Sequence, residues 1–357
     1  MKVGIDTEIF SGQMRGGISK HFSLLIRYLK LEKDIEIKLN SIFHNNLNLK
    51  QEQIGIYISP RFRRLIRIFL VFIRLSGHKT DIIHYSYSFN NIKKSKIPSI
   101  ITAYDMIPEN GFSKNIIPTL IESKYKAFQL SDVILSISHF TKKEIIKFYP
   151  EFTNKIHVIH LGVDESWDRK NVKEFRNNNL NKFFKRRYIT YVGNRHEYKN
   201  AKILFEVLNN ISDIDLIFIG GEEPSILEKE KINNYKLNSR IHFLKANDYE
   251  LKILMKNSYA ICIPSRMEGF SIPLIEALYL DIPIIASNIP VHNEVAGGFA
   301  HLLEYKNPDQ WSDFIKKNNL KNPSHFLGKK NYIKLKKYFS YKRVVKDHIR
   351  IYKKLIY

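Results

Sequence analysis

Short apolar runs alternate with helical patterns along almost the whole chain, and this alternation restricts the fold more than any other feature. Strands separated by helices predict parallel sheets that are covered by helices. The candidate strands lie near residues 2–6, 35–39, 81–84, 98–103, 132–137, 156–160, 188–192, 214–219, 241–244, 259–263, 283–286 and 300–303. With 357 residues the chain is too long for one ordinary core and suits two such domains.

The boundary between the two domains is predicted in a stretch that lacks apolar periodicity. Residues 164–186 are rich in Asn, Lys and Arg. We therefore predict an α/β chain with two doubly wound parallel-sheet domains, 1–165 and 187–335, joined by a linker at 166–186. Apolar residues at helical spacing near the end predict a C-terminal helix at 336–357, which we expect to cross back and pack on the first domain.

The chain carries a formal net charge of +23, which points to nucleic acid, an anionic membrane or phosphorylated substrates as partners. No nucleic-acid recognition motif or stacking array accompanies the charge, so we expect no nucleic-acid partner. One segment, 61–79, is basic and amphipathic and contains no acid. It predicts either a surface helix or a segment on an anionic membrane. The arginines expected to face that membrane are Arg61, Arg63, Arg64, Arg67 and Arg74.

Cysteine and histidine give no indication of a metal site. Cys262 is the only cysteine and lies in an apolar strand, so we expect it in the core. The 13 histidines form no tight ligand cluster, and His84 and His160 in apolar strands are expected to be buried and neutral. No apolar run follows the basic start, which argues against a secretory signal and for a cytoplasmic location. No cofactor or metal is predicted.

Residues 268–276 hold two glutamates, Glu268 and Glu276, with a glycine turn and a helix start between them. Ser271 is expected to cap that helix, and Pro273 fits its first turn, where a missing N–H does no harm. A helix N-terminus after a buried strand is a common phosphate site. The window therefore predicts an anion site flanked by two acids that can accept hydrogen bonds from sugar hydroxyls.

Two further loops follow predicted strands and precede helices. Gly16 and Gly17 allow a ligand to approach the backbone closely, and a simple turn explains them about as well. Arg195 and Lys199 follow the strand at 188–192, where they could bind phosphate oxygens or be ordinary solvated cations. In open α/β sheets ligands lie beyond the carboxyl ends of strands. One ligand could reach these two loops and the window at 268–276 together only in a cleft between the domains.

At these positions the chain resembles the retaining nucleotide-sugar glycosyltransferases of family 4, which have the GT-B fold. Residues 264–277 are similar to the family's signature of two glutamates separated by seven residues, and residues 287–297 continue it. Residues 191–200 look like the family's donor phosphate loop, with Arg195 one place later than the usual arginine. The resemblance implies a metal-independent hexosyltransferase that uses a UDP-, GDP- or dTDP-linked sugar. It further implies a glycan or lipid-linked acceptor, with a role in surface polysaccharide biosynthesis as a peripheral protein on the inner membrane face.

The resemblance also implies residue roles. Glu276 would bind the donor ribose, and Glu268 a hydroxyl of the transferred sugar. Lys199 and Arg195 would neutralise the leaving phosphate, and the loop at Gly16 and Gly17 would close over the donor. The backbone groups expected to hold the sugar and diphosphate belong to Gly269, Phe270, Ser271 and Ile272. Retention in this fold is usually explained by front-side attack, so the resemblance assigns no nucleophile to Glu268.

One position departs from the family pattern. Residues 101–109 resemble a segment in which a histidine lies near the reacting sugar, but here that place is taken by Tyr104. Tyrosine can bind a sugar hydroxyl, although it cannot act as an acid-base group at neutral pH. Tyr104, Asp105 and Glu268 form the predicted catalytic set, with a structural role for Asp105 equally open. The alternative function is a catalytically weak sugar-nucleotide-binding subunit.

Overall fold

The protein forms two compact α/β units. The computed structural model describes residues 1–39, 43–59, 79–87, 94–112, 117–172, 178–317 and 327–357. One unit comprises Met1–Gly162 together with Phe339–Tyr357, and the other comprises Val163–Tyr338. Except for Lys79, the basic segment 61–79 lies outside the described residues, and so do all five arginines expected to face a membrane.

The first unit is built on a six-stranded parallel sheet with the order β2-β1-β5-β6-β7-β8. A separate parallel pair, β3 and β4, has two residues in each strand. The strands are β1 Lys2–Ile5, β2 Glu36–Leu39, β3 Phe43–His44, β4 Ile56–Tyr57, β5 Ile82–Tyr85, β6 Ser99–Ala103, β7 Val133–Ser136 and β8 Ile156–Val158.

The second unit contains a six-stranded parallel sheet with the order β11-β10-β9-β12-β13-β14. Numbered within the unit this order is 3-2-1-4-5-6, the Rossmann arrangement, in which the winding direction reverses between β9 and β12. The strands are β9 Arg187–Val192, β10 Ile214–Ile219, β11 Ile241–Leu244, β12 Ala260–Ile263, β13 Ile284–Ser287 and β14 His301–Leu303.

Helices connect the parallel strands in both units. Those of the first unit are α1 Glu8–Gly12, α2 Gly17–Leu29, α3 Leu47–Gln51, α4 Ile117–Leu130, α5 His139–Phe148 and the C-terminal α14 Tyr341–Ile356. Those of the second are α6 Asn178–Asn181, α7 Ile203–Asn209, α8 Ile226–Asn234, α9 Asp248–Lys256, α10 Ile272–Leu280, α11 Pro290–Ala296, α12 Pro308–Lys317 and α13 Gly328–Tyr338. Short 3₁₀-helices occupy Pro150–Lys155, Glu165–Trp167, Lys182–Lys185 and Glu197–Lys199.

The prediction of two doubly wound parallel sheets is confirmed. All twelve predicted strands form, with ends shifted by at most two residues. The central strand β12 is buried along its whole length and includes Cys262, as expected for a strand covered on both faces. The pair β3 and β4 was not predicted, because two-residue strands are too short to produce a recognisable pattern.

The described part of the segment 166–186, predicted as a linker, belongs to the second unit. Trp167 is fully buried, and Asp168 accepts a hydrogen bond from the Tyr332 hydroxyl at 3.0 Å. Arg169 forms an ion pair with Asp281. These contacts join distant parts of the chain, and a segment without apolar periodicity gives no sign of them.

The C-terminal helix α14 packs within the first unit through buried rings. The Tyr352 hydroxyl lies 2.7 Å from His84 Nδ1, and the His348 ring stacks on His84 with centroids 5.7 Å apart. The Tyr341 hydroxyl donates to the His21 carbonyl oxygen at 2.7 Å. His84 and His160 are both buried, as predicted. Burial lowers the pKa of His21 and His84 well below the usual value and lowers that of His348 to about 4.

We expect the stability of this unit to fall as pH drops below about 6.5. The unfolded histidines take up protons from that pH downward, whereas the buried rings stay neutral, so protonation favours unfolding. For His348 alone the loss between pH 6.5 and 4 is about 3 kcal/mol, since each pKa unit corresponds to about 1.4 kcal/mol. Urea unfolding followed between pH 7.5 and pH 5 measures this slope.

His348→Gln should lower stability at pH 7.5 and make the pH slope shallower. His139→Gln is the matched control, because His139 is exposed on α5 of the same unit. An unchanged slope in His348→Gln would contradict the assignment.

Candidate functional site

Two loops meet at the carboxyl edge of the second unit's sheet, where the winding reverses. The loop Gly193–Asn200 follows β9, and the loop Pro264–Ser271 follows β12, the strand that pairs with β9. The Arg266 N–H donates to the Tyr198 carbonyl oxygen at 2.7 Å and ties the loops together. The switch point of an open α/β sheet is where ligands bind.

Lys199 and Glu268 connect these loops through a bidentate ion pair. Lys199 Nζ lies 2.6 Å from Glu268 Oε1 and 2.8 Å from Oε2. The Ser265 hydroxyl donates to Oε1 at 2.7 Å. Glu268 is almost fully buried, and the Lys199 side chain keeps about a fifth of its surface exposed. The ion pair and the hydrogen bond from Ser265 thus offset the cost of burying the Glu268 carboxylate. The Lys199 ammonium remains accessible to solvent.

The start of α10 has an unusual backbone conformation at Ser271. This residue has φ 74° and ψ 71°, a left-handed conformation that non-glycine residues rarely adopt outside functional sites. The expectation that Ser271 caps α10 was wrong: its hydroxyl makes no cap hydrogen bond, because an N-cap requires an extended backbone. Ser271 Oγ is buried and has no hydrogen-bond partner. The carbonyl of Ser271 accepts from the Leu274 N–H at 3.0 Å, and Pro273 lies in the first turn, as predicted.

The remaining predicted donor residues of this window lie on the same loop and helix. Gly269 and Phe270 precede the helix, and Phe270 is buried. Ile272 begins α10, and Glu276 lies one turn further along, with only 3% of its surface exposed. The structure therefore brings Lys199, Glu268 and the start of α10 together within one unit.

Arg195 is directed away from this pair. Its Nε donates to Glu228 Oε1 at 2.9 Å, and Nη2 donates to the Glu222 carbonyl oxygen at 2.7 Å. The guanidinium also lies over the Phe243 ring, 4.8 Å from its centroid. A Cβ atom at Gly221 would meet this guanidinium at 3.2 Å, so glycine allows the close approach. Arg195 Nη1 is buried without a hydrogen-bond partner.

The predicted glycine loop of the first unit is held by a neighbouring segment. Gly16 immediately precedes α2, and Gly17 is its first residue. Asn46 Nδ2 donates to the Gln13 carbonyl oxygen at 2.5 Å, and Asn48 Nδ2 donates to the Ser19 hydroxyl at 2.9 Å. These two asparagines were not predicted, since their role depends on contacts between residues more than 25 positions apart.

Tyr104 and Asp105 follow β6 in the first unit and line a small cavity there. The Tyr104 ring packs edge-on against His21, with centroids 6.1 Å apart, and its buried hydroxyl has no hydrogen-bond partner. Burial raises the pKa of the Tyr104 phenol well above its usual value. Asp105 Oδ1 accepts from the Ile107 N–H at 3.0 Å, and its carbonyl oxygen accepts from Lys124 Nζ at 3.0 Å. The Asp105 carboxylate thus holds its own loop.

Sequence reasoning missed three residues near Glu268. Ser265 donates to the carboxylate, and Ser287 and His292 each hold a buried polar atom without a partner. Ser287 ends β13, the strand next to β12, and His292 lies on the following helix α11. All three residues lie in the stretches 264–277 and 287–297 that resemble the family signature, and this resemblance was the signal available for them.

The part of the chain that the structure describes contains neither a cluster of metal ligands nor a helix that could cross a membrane. No three His, Cys, Asp or Glu side chains there are grouped so that they could hold a metal ion. Asp213 and Asp215 instead form ion pairs with Arg187 and Arg186. Among the described helices, none has the length and apolar content that a membrane crossing requires.

Comparison with protein families gives two matches that follow one another along the chain. The model for glycosyltransferase family 4 matches residues 16–167, and the model for glycosyl transferases group 1 matches residues 172–318. The second match contains the complete Lys199 and Glu268 site. The chain belongs to the group 1 glycosyltransferases of family 4.

Curated members of this family match different lengths of the chain. The O-antigen chain mannosyltransferase RfbU of Salmonella typhimurium is 32% identical over 189 residues, 51% of this chain and 50% of that protein. The capsular polysaccharide biosynthesis glycosyltransferase CapH of Staphylococcus aureus is 25% identical over 332 residues, 87% of this chain and 89% of that protein. The matches to the first three curated relatives span half of their length or less.

Solved structures support the same fold for this chain. The Anabaena protein Alr3699/HepE, crystallised with UDP and glucose, superimposes with a TM-score of 0.73 at 15% identity, over 99% of this chain and 100% of that one. The sucrose-phosphate synthase of Thermosynechococcus elongatus gives a TM-score of 0.72 at 15% identity, over 99% and 98% of the two chains. The predicted GT-B fold is confirmed.

We expect Lys199 and Glu268 to be energetically coupled. Lys199→Met leaves a buried carboxylate without its counter-charge and should destabilise the protein by about 2–4 kcal/mol. Glu268→Gln should cost less, because Lys199 can reach solvent. The double variant should recover at least about 1 kcal/mol relative to the sum of the single variants. Urea unfolding at neutral pH measures all three free energies.

The exposed ion pair of Lys245 with Glu223 is the matched control. Its side chains retain 75% and 77% of their surface, so the same cycle there should give a coupling near zero. Simple additivity at Lys199 and Glu268 would contradict the coupling inferred from the buried geometry.

Proposed function

We propose that the protein is a retaining glycosyltransferase. It moves a hexose from a nucleotide-diphosphate sugar to a glycan or lipid-linked acceptor in surface polysaccharide biosynthesis. The observation that carries the proposal is the bidentate pair of Lys199 and Glu268 beside the start of α10. Family membership and the curated relatives in O-antigen and capsule synthesis support it.

The start of α10 is suited to a diphosphate. First-turn N–H groups have no partner within a helix, and the helix dipole favours an anion there. The unpartnered Ser271 hydroxyl is a second donor at the same place. Its left-handed backbone conformation is maintained by the surrounding packing, which is typical of a preorganised binding loop.

The ion pair of Lys199 with Glu268 also suggests how the Lys199 ammonium would exchange partners when a donor binds. The Lys199 ammonium lies against both oxygens of the Glu268 carboxylate. A diphosphate carries more negative charge than one carboxylate and can draw Lys199 towards itself, which frees Glu268 to accept hydrogen bonds from sugar hydroxyls. A cation held next to the leaving phosphate stabilises the charge that develops as the glycosidic bond breaks.

The remaining roles in the proposal rest on the resemblance and on the positions of the residues. Glu276 would bind the ribose, and Gly269, Phe270 and Ile272 would hold the sugar and diphosphate through their backbone. Gly16 and Gly17 would contact the donor from the first unit. Arg195 would need to leave Glu228 to reach phosphate, so we assign it a smaller part. The reaction as proposed uses no metal, and the basic segment 61–79 would hold the protein on an anionic membrane.

We expect Glu268→Gln to lower kcat/KM for the donor by roughly a hundredfold or more, the usual effect of removing one preorganised group at a reacting centre. Glu276→Gln should act mainly on the KM of the donor, since ribose binding is the same before and during reaction. Hydrolysis and transfer assays with a panel of UDP-, GDP- and dTDP-sugars measure both effects.

Glu230→Gln provides the control, because Glu230 is exposed on α8 and should leave the kinetics unchanged. Failure of the wild-type protein to bind any nucleotide sugar of the panel would end the proposal.

A second candidate function is a sugar-nucleotide-binding subunit with little turnover. Tyr104 favours it, because its phenol is buried, unpartnered and neutral at physiological pH. Such a side chain cannot exchange a proton with the substrate. Under this alternative the donor binds and transfer is slow.

Two substitutions of Tyr104 separate the candidates. Tyr104→Phe removes a buried hydroxyl that has no partner, so stability should be unchanged or slightly higher. If the hydroxyl contacts the acceptor, transfer should fall several-fold in that variant while donor hydrolysis stays constant. Under the subunit alternative, Tyr104→His raises transfer, and brisk turnover by the wild-type protein excludes that alternative.

A further inference from the structure

His292 is the most completely buried histidine near the proposed donor site. None of its surface is exposed, and its Nδ1 lies 2.9 Å from the carbonyl oxygen of Ser287. A carbonyl oxygen can only accept a hydrogen bond, so Nδ1 must carry the proton. Burial lowers the pKa of His292, which keeps the ring neutral. The other nitrogen, Nε2, therefore presents a lone pair.

This lone pair has no donor within the protein. His292 Nε2 is enclosed and makes no hydrogen bond, although buried polar atoms in native proteins are almost always paired. Ser271 and Ser287 have hydroxyls that are also buried and unpartnered, and neither donates to Nε2. Three unsatisfied polar atoms thus belong to Ser271, Ser287 and His292, which lie on or just after β12 and β13.

The surroundings of His292 connect it to the donor site. The Glu268 carboxylate raises the pKa of the His292 ring and the Lys199 ammonium lowers it, so the ring responds to the charges of both. Glu268 is on the loop after β12, and His292 follows the neighbouring strand β13. Two hydrogen-bond acceptors, a carboxylate and an imidazole lone pair, are therefore close together. A ligand with several adjacent hydroxyls supplies the matching donors.

We propose that His292 is a specificity-determining residue of the donor-sugar site. Its Nε2 lone pair accepts a hydrogen bond, directly or through one water molecule, from a hydroxyl of the sugar that Glu268 binds. The inference rests on the proposed function, and it adds a residue and a chemical preference: sugars whose hydroxyls are free are favoured over deoxy sugars. A site with a buried acceptor rejects an analogue that lacks the matching hydroxyl.

Asparagine and glutamine separate the two nitrogens of His292. In His292→Asn the amide nitrogen can replace Nδ1 and keep the bond to Ser287, but nothing stands in the place of Nε2. In His292→Gln the longer side chain can bring an amide oxygen to the place of Nε2, and the bond to Ser287 is lost. His301→Asn on β14 is the control, a partly buried histidine of the same unit beside Phe314.

The measurement uses full-length protein and whichever of UDP-glucose, UDP-galactose or GDP-mannose the wild type turns over fastest. We expect His292→Asn to lower kcat/KM about tenfold, mainly through KM, the effect of one hydrogen bond. His292→Gln should stay within about threefold of wild type. Binding of UDP or GDP alone, which lacks the transferred sugar, should be unchanged in both variants. The opposite order, with His292→Asn active and His292→Gln impaired, would mean that only the bond to Ser287 matters and would overturn the proposal.

Two further outcomes are decisive. If the wild type turns over a donor and His292→Asn equals it, the role of His292 falls while the proposed function stands. If the wild type neither binds nor turns over any donor of the full panel of UDP-, GDP- and dTDP-sugars, both fall. Should His292→Asn fail to fold, deoxy analogues of the donor are compared between wild type and His292→Gln. We expect one deoxy position to be penalised differently in the two proteins, and equal penalties at every position would refute the inference.

Discussion

The strand order of the second unit is the constraint on which the candidate site depends. Because β9 and β12 are neighbours in the sheet but are separated by two other strands in sequence, the loops that follow them meet at one edge. Lys199 and Glu268, 69 residues apart, become hydrogen-bonded partners through this arrangement. Addition of β13 on the far side of β12 brings Ser287 and His292 to the same region. A different winding order would scatter all four residues.

The electrostatics of the loop after β9 depend on its ion pairs more than on the net charge of the chain. The chain has a formal charge of +23, yet the two cations of the β9 loop are each held by a buried glutamate, Lys199 by Glu268 and Arg195 by Glu228. The pairs differ in exposure: the Arg195 side chain retains 6% of its surface and that of Lys199 21%. A ligand phosphate therefore competes more easily for Lys199. Under the proposed function the loop would respond to an anion by exchange of ion-pair partners.

The sequence was a good guide to the fold because strand periodicity and helix spacing are local properties. The position of the site was also predictable, since loops after parallel strands converge and glycine turns precede helices at Gly16 and Gly269. Contacts that depend on side-chain direction were not predictable. Ser271 was expected to cap α10, but its backbone is left-handed where an N-cap is extended, and its hydroxyl makes no cap hydrogen bond. Arg195 and Lys199 both lie in the loop after β9, so the sequence does not distinguish between them. In the structure Arg195 packs against Phe243 and pairs with Glu228, whereas Lys199 does not.

Tyr104 and Asp105 bear on the proton transfer that a glycosyl transfer requires. Burial raises the pKa of the Tyr104 phenol well above its usual value, so the phenol is neutral at physiological pH and does not accept a proton there. The Asp105 carboxylate accepts from the N–H of Ile107 in its own loop. Under the proposed function, a diphosphate leaving group can itself accept the proton of the attacking hydroxyl. The protein would then have to stabilise the departing phosphate, and Lys199 and the start of α10 are the groups suited to that task.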